Sequence, residues 1–177
     1  MLNMKLWVWI CVGALLFALA FQVNGQVKTN PTTSFTISGD VKAQVTIQIA
    51  DLKKWTAISI GDVTITNHLG EKKSEARGLK GVLLKDIISS TEINSESPKV
   101  LSEYYFVCKA NDGYTVVFSW NELFNTAVGE SVYVVTEKND KSAAGMEDAI
   151  LLISPTDFKT GRRHVKSLAS IEVKRAK

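Results

Sequence analysis

Few residues in this chain have the types and spacing to do chemistry, so each can be weighed in turn. Its two histidines, His68 and His164, stand far apart, and neither has a second ligand-type residue at a spacing that defines a metal site. An ordinary surface or loop imidazole is the expectation for both. The sequence contains no Gly-rich phosphate loop, no Cys-x-x-Cys pair and no His-Glu-x-x-His helix. Cys108 alternates with Tyr104 and Phe106, which puts it on the apolar face of a strand as a small buried hydrophobe rather than a nucleophile. Glu147-Asp148 brings two carboxylates together, but adjacent acids in a loop before a strand read as solvated. What remains is a local basic cluster, Lys159, Arg162, Arg163 and His164, able to hold an anion through charge-assisted hydrogen bonds. The competing reading is a solvated charged loop.

The elements that must position these groups are mostly strands. Period-2 alternation over 44–49 and 57–60 predicts two strands, and Gly61-Asp62 separates the second from another at 63–66. Residues 69–72 read as a loop leading into a polar segment. Runs at 104–110 and 114–119 flank Asn111-Asp112-Gly113, whose Asp-Gly pair favours a tight hairpin. Further strands are expected at 131–136, 149–153 and 170–174. Helices are few: an amphipathic one over 81–89 opened by Gly81, a turn or two at 50–55, and one at 120–124 with Ser119 and Glu122 spaced as a capping box. The fold class is therefore α+β, mainly β, with short helices. No internal repeat or low-complexity tract is present.

The N-terminus reads as an export signal. Lys5 precedes an uncharged apolar run at 6–21, and Val23 and Gly25 occupy the small-residue positions of a cleavage site before Gln26. The run is shorter than the ~20 residues a spanning helix needs. The expected organisation is a signal peptide at 1–25, a polar linker at 26–34 and one domain at 35–177, long enough to fold around its own core. Loss of the signal removes Cys11 and leaves Cys108 alone, so no internal disulfide is expected. The localisation expected is periplasmic or secreted, with no membrane association after cleavage. The formal charge of +3 is interspersed along the chain apart from Arg162-Arg163 and the terminal Lys174-Arg175-Ala176-Lys177, which argues against nucleic acid as a partner.

Several small motifs, in order, extend across nearly all of the domain. They are Ile37-Ser38-Gly39-Asp40-Val41, Val45-Thr46-Ile47 with Asp51-Leu52, Gly81-Val82-Leu83-Leu84-Lys85-Asp86-Ile87-Ile88, Asp112-Gly113-Tyr114, the segment 150–155, and Arg163-His164-Val165-Lys166-Ser167-Leu168 before Ile171-Glu172-Val173. In this order they resemble the oxidoreductase molybdopterin-binding domain of the sulfite-oxidase type. The resemblance implies a mainly β fold with a cleft in which family members hold a molybdenum-pterin cofactor and transfer an oxygen atom. It also implies a cysteine after an early strand as the metal thiolate, and basic residues near the C-terminal end for the cofactor's phosphate.

The chain departs from that pattern where the metal ligand belongs. Residues 67–78 contain no cysteine, so Asn67 or His68 would have to stand near the metal, and Cys108 lies on a later strand. The basic group Lys159, Arg162, Arg163 and His164 is kept, whereas the additional N-terminal loops with which larger members enclose the pterin are lacking. The expectation is a non-catalytic exported binding or accessory domain, with an anionic small molecule or pterin and an envelope protein as its partners. The alternative is a molybdopterin-dependent oxidoreductase, opposed by the missing soft ligand. A third reading, a carbohydrate- or peptide-binding β domain, rests on Trp55, Trp120 and the tyrosines, although aromatics usually serve the core.

Overall fold

The computed structural model describes residues 31–176, so the proposed signal peptide and the first part of the linker lie outside the described residues. Two five-stranded sheets share one apolar core. The first has the order β2 (Val45–Gln48), β1 (Ser34–Gly39), β10 (Leu168–Arg175), β5 (Tyr104–Ala110) and β6 (Thr115–Ser119). In it β1 runs parallel to β10 and every other pairing is antiparallel. The second has the order β3 (Ile58–Thr66), β4 (Lys72–Leu83), β7 (Tyr133–Lys138) and β8 (Lys141–Ser142), with β9 (Leu151–Ile153) also paired to β7. The architecture is α+β, mostly β, as the alternation pattern implies.

Local chemistry explains the elements that matched expectation. Asp112-Gly113 turns the β5–β6 hairpin with Gly113 at φ +89°, and Asp112 Oδ1 accepts the Tyr114 N–H at 2.9 Å. The Ser119 and Glu122 capping box closes as anticipated on helix α2 (Trp120–Phe124), which follows α1 (Leu84–Ile88) in the chain. Cys108 is fully buried between Phe106 and Ala110, and burial pushes its thiol up to about 12.

Two expectations about the elements are corrected. Gly61-Asp62 does not end a strand: β3 continues through it with register shifts, Gly61 taking φ +83° and Asp62 Oδ1 accepting the Gly78 N–H at 2.8 Å. Gly81 does not open a helix. It lies in β4 opposite Val135, and the helix begins only at Leu84, because the apolar run before it is claimed by pairing with β7. The polar segment after the 69–72 loop is the solvated half of that same strand, its Lys72, Lys73, Ser74 and Glu75 all exposed. In the basic terminus Arg175 pairs with Glu96 and Glu103, both at 2.7 Å.

Candidate functional site: a hydroxyl-lined cleft closed by a strap

Segment 155–164 leaves β9, crosses the end of β3 and returns to bridge Leu152 through Val165. It acts as a strap between the sheets. Thr160 anchors it: its Oγ1 accepts the Thr66 N–H at 3.0 Å and donates to the Thr64 carbonyl at 2.7 Å. Next to it Gly161 lies so close to β3 that a Cβ would stand 1.9 Å from the Thr66 carbonyl oxygen, an approach only glycine permits. On the other side the Tyr114 hydroxyl donates to the Arg162 carbonyl at 2.7 Å, tying the strap to the β5–β6 hairpin.

Under the strap lies a cleft of about 540 Å³. Ile60, Asp62, Thr64 and Thr66 of β3 form one wall, Ser131 and Tyr133 the other, and Thr156 and Thr160 close the end. The walls approach because Gly81 carries no side chain between them: a Cβ there would meet Tyr133 Cβ at 3.0 Å and Ile60 Cδ1 at 3.1 Å. Hydroxyls dominate the lining. Some are already engaged, Ser131 with Thr156 at 2.7 Å and Tyr133 with the Glu130 carbonyl at 3.0 Å. Asp62 is the only ionisable carboxylate in the lining, and no lysine or arginine lines it.

None of the residues proposed from sequence lines this cleft. Asn67 shapes the β3–β4 turn, its Oδ1 accepting from the Leu69 and Glu71 N–H groups at 2.9 and 3.0 Å and its Nδ2 donating to Glu71 Oε2 at 2.7 Å. His68 is exposed on that turn. Lys159 and Arg162 are exposed on the strap and enter no ion pair among the described residues.

Arg163 is different. It forms a two-pronged pair with Asp157 (2.7 and 2.5 Å), a third bond to Glu122 at 3.1 Å, and lies 4.5 Å over the Phe118 ring. Hydrogen bonding to Asp157 holds its pKa above the ordinary arginine value, against the opposing effect of burial. Its charge is consumed in holding the strap to α2, which leaves little of it for an anion.

His164 is mostly buried rather than a surface imidazole, and its Nε2 has no hydrogen-bond partner among the described residues. Burial pushes it down to about 4, helped by Lys166 and Lys138 and resisted by Asp148. Asp148, read from sequence as solvated, is half-buried and paired with Lys138 and with Lys166 (3.1 Å). Burial acts to raise its carboxyl, but the two lysines outweigh it and hold it below the usual range.

A thiolate-bound molybdenum does not fit this donor set. The described residues contain one cysteine, sealed in the core, and the amide at Asn67 is spent on its own turn. The cleft also offers hydroxyls and a carboxylate where a phosphate-bearing pterin needs cations.

No family model matches the chain, and no curated protein matches it. Its fold is similar to that of the sulfane dehydrogenase SoxCD from Paracoccus pantotrophus, with a TM-score of 0.59 at 12% identity. The match covers 79% of this chain and 37% of that one, so the likeness is one of fold and spans little more than a third of the larger protein. It agrees with a mainly β fold of the kind the sequence resemblance implies and carries nothing beyond fold.

Proposed function

We propose that this chain is an exported binding or accessory domain on a molybdopterin-domain-like scaffold, without redox chemistry of its own. The observation that carries the reading is the composition of the cleft: hydroxyls and Asp62, with no thiolate and no cation. Its ligand is an uncharged, hydrogen-bonding molecule or segment, with Asp62 Oδ2 and the Ser59 and Thr64 hydroxyls as the groups that meet it. Export draws on the pattern of Lys5, the apolar run at 6–21, and Val23 and Gly25. An envelope protein is the partner class that suits an accessory domain of this kind.

The test is elemental analysis of protein expressed with its own leader in a host that makes the molybdenum cofactor. Molybdenum far below one atom per chain is expected, and His68→Cys, which disturbs no hydrogen bond, is the paired variant. A value approaching one atom per chain in the unaltered protein overturns the reading in favour of a molybdopterin-dependent oxidoreductase, the alternative that the fold likeness to a dehydrogenase keeps in play. A small anion, if one binds, belongs at Lys159 and Arg162 on the outer face of the strap. Loss of phosphate binding in the double Ala variant of those two residues checks this, and unchanged binding removes the strap from consideration.

A further inference from the structure

A second concavity shares no residue with the cleft. It lies where the 3-10 turn Ile49–Lys54 faces the end of β7 and the 3-10 turn Ala143–Gly145, and it measures about 280 Å³. At ~30 Å³ per molecule of liquid water, this is room for about nine waters, or for one small organic molecule. Its floor is apolar, made by Ile49, Leu52, Ala143 and Ala144. One wall is the Trp55 indole, half-buried and fixed in orientation by its Nε1–H donating to the Asp86 carbonyl at 3.2 Å. An aromatic wall locked in this way presents its surface to a ligand without first having to be ordered.

The polar groups of the groove are few and of one kind. Lys53 is the only charged residue lining it, and its ammonium is in no ion pair among the described residues, whereas neighbouring Lys54 is paired with Asp51 at 2.7 Å. The Thr136 and Ser142 hydroxyls also line it and have no side-chain hydrogen bond among the described residues. An apolar floor, a fixed indole, one ammonium in no ion pair among the described residues, though it also acts on the Asp51 carboxylate, and two hydroxyls together describe a receptor for an apolar body ending in an anionic oxygen group.

We propose that this groove binds a small aryl or arylalkyl carboxylate, the ring against Trp55 and the carboxylate at Lys53 with the Thr136 and Ser142 hydroxyls. The site stands independently of whatever occupies the cleft. An acid fits better than its alcohol because only the carboxylate answers Lys53, and an amine is repelled.

The experiment titrates the full chain, as its host processes it, with 4-phenylbutyrate, 4-phenylbutan-1-ol and 4-phenylbutylamine. The readout is the Trp55 indole N–H resonance, assigned by its loss in Trp55→Phe. The acid is expected to give a saturable shift, the alcohol one weaker by about tenfold, and the amine none. Lys53→Met should bring the acid down to the alcohol's affinity. Ala57→Phe, at an exposed position on the rim, should abolish binding while the Trp120 indole resonance stays in place as the report of an intact fold. Equal binding of acid and amine, an unaltered affinity in Lys53→Met, or no saturable shift with the acid each overturns the proposal.

Discussion

The cleft under the strap and the groove beside Trp55 are opposites in lining and in construction. The cleft has one ionisable carboxylate, Asp62, among hydroxyls; the groove has one charge, the Lys53 ammonium, over an apolar floor. The cleft is assembled from β3, β7 and a strap roughly a hundred residues further along the chain, held by hydrogen bonds such as that from Thr160 to Thr64. The groove joins a short 3-10 turn continuous with β2 to the β7–β8 region, roughly eighty residues further along the chain, with no hydrogen-bonded strap across it among the described residues. Ligand preference should therefore divide by charge, and sensitivity to substitution should divide by how each wall is held.

The strongest way to break this contrast is at Gly161. A side chain there collides with the β3 backbone, which cannot yield as a flexible side chain does. Gly161→Val is expected to cost about 3 kcal/mol in urea unfolding and to open the cleft. The Trp55 resonance should stay in its native position, and a shift there as large as that of residues beside the strap would show the two sites to be one unit.

Nearly as large is the effect of acid through His164. Its pKa in the fold is about 4 against an ordinary 6.5, so the fold prefers the neutral ring. The stability this provides is fully present above pH 6.5 and is lost as pH falls toward 4, by about 3 kcal/mol as an upper figure. Urea midpoints measured across that window should fall steeply, and His164→Leu should flatten the slope. A slope left unaltered by the substitution would assign the acid sensitivity to other groups.

Smaller is Thr160→Val, which keeps the shape and removes the hydroxyl. The Thr66 N–H loses its partner at 3.0 Å, for an expected loss of about 1–2 kcal/mol and faster hydrogen exchange at Thr66. At the lower end, Lys53→Met should leave stability within about 0.5 kcal/mol, because that ammonium is exposed and in no ion pair among the described residues. A large destabilisation would mean that Lys53 supports the fold rather than a ligand.

The features legible in the sequence are those decided within a few residues. The Asp112-Gly113 turn and the Ser119 and Glu122 cap are local hydrogen-bonding choices, and Cys108 follows from alternation along one strand. β4 was hidden because its first half is charged and solvated, so no apolar period marks it. Gly61 read as a break because a bulge and a turn call for the same residue. At the site, sequence found the basic cluster but not its division of labour. Nothing near Arg163 announces Glu122, 41 positions earlier, and nothing near His164 announces Lys138 and Asp148. The cleft itself had only faint signals, the serines and threonines scattered over 59–66, 131 and 156–160, which acquire meaning once Gly81 and Gly161 bring their strands together.

The central place of β10 bears on the order in which the chain can fold. Hydrogen-bonded on one side to β1 and on the other to β5, it joins two halves of a sheet that cannot meet without it. A chain delivered from its N-terminus can form the β1–β2, β3–β4 and β5–β6 hairpins early, but the parallel edge of β1 waits for residues 168–175 to arrive. Until then one edge of β1 lacks its partner, and the Ile37 to Ile171 register cannot form. Closing the first sheet is thus a late, long-range event, which sets the pace at which the domain can complete its core.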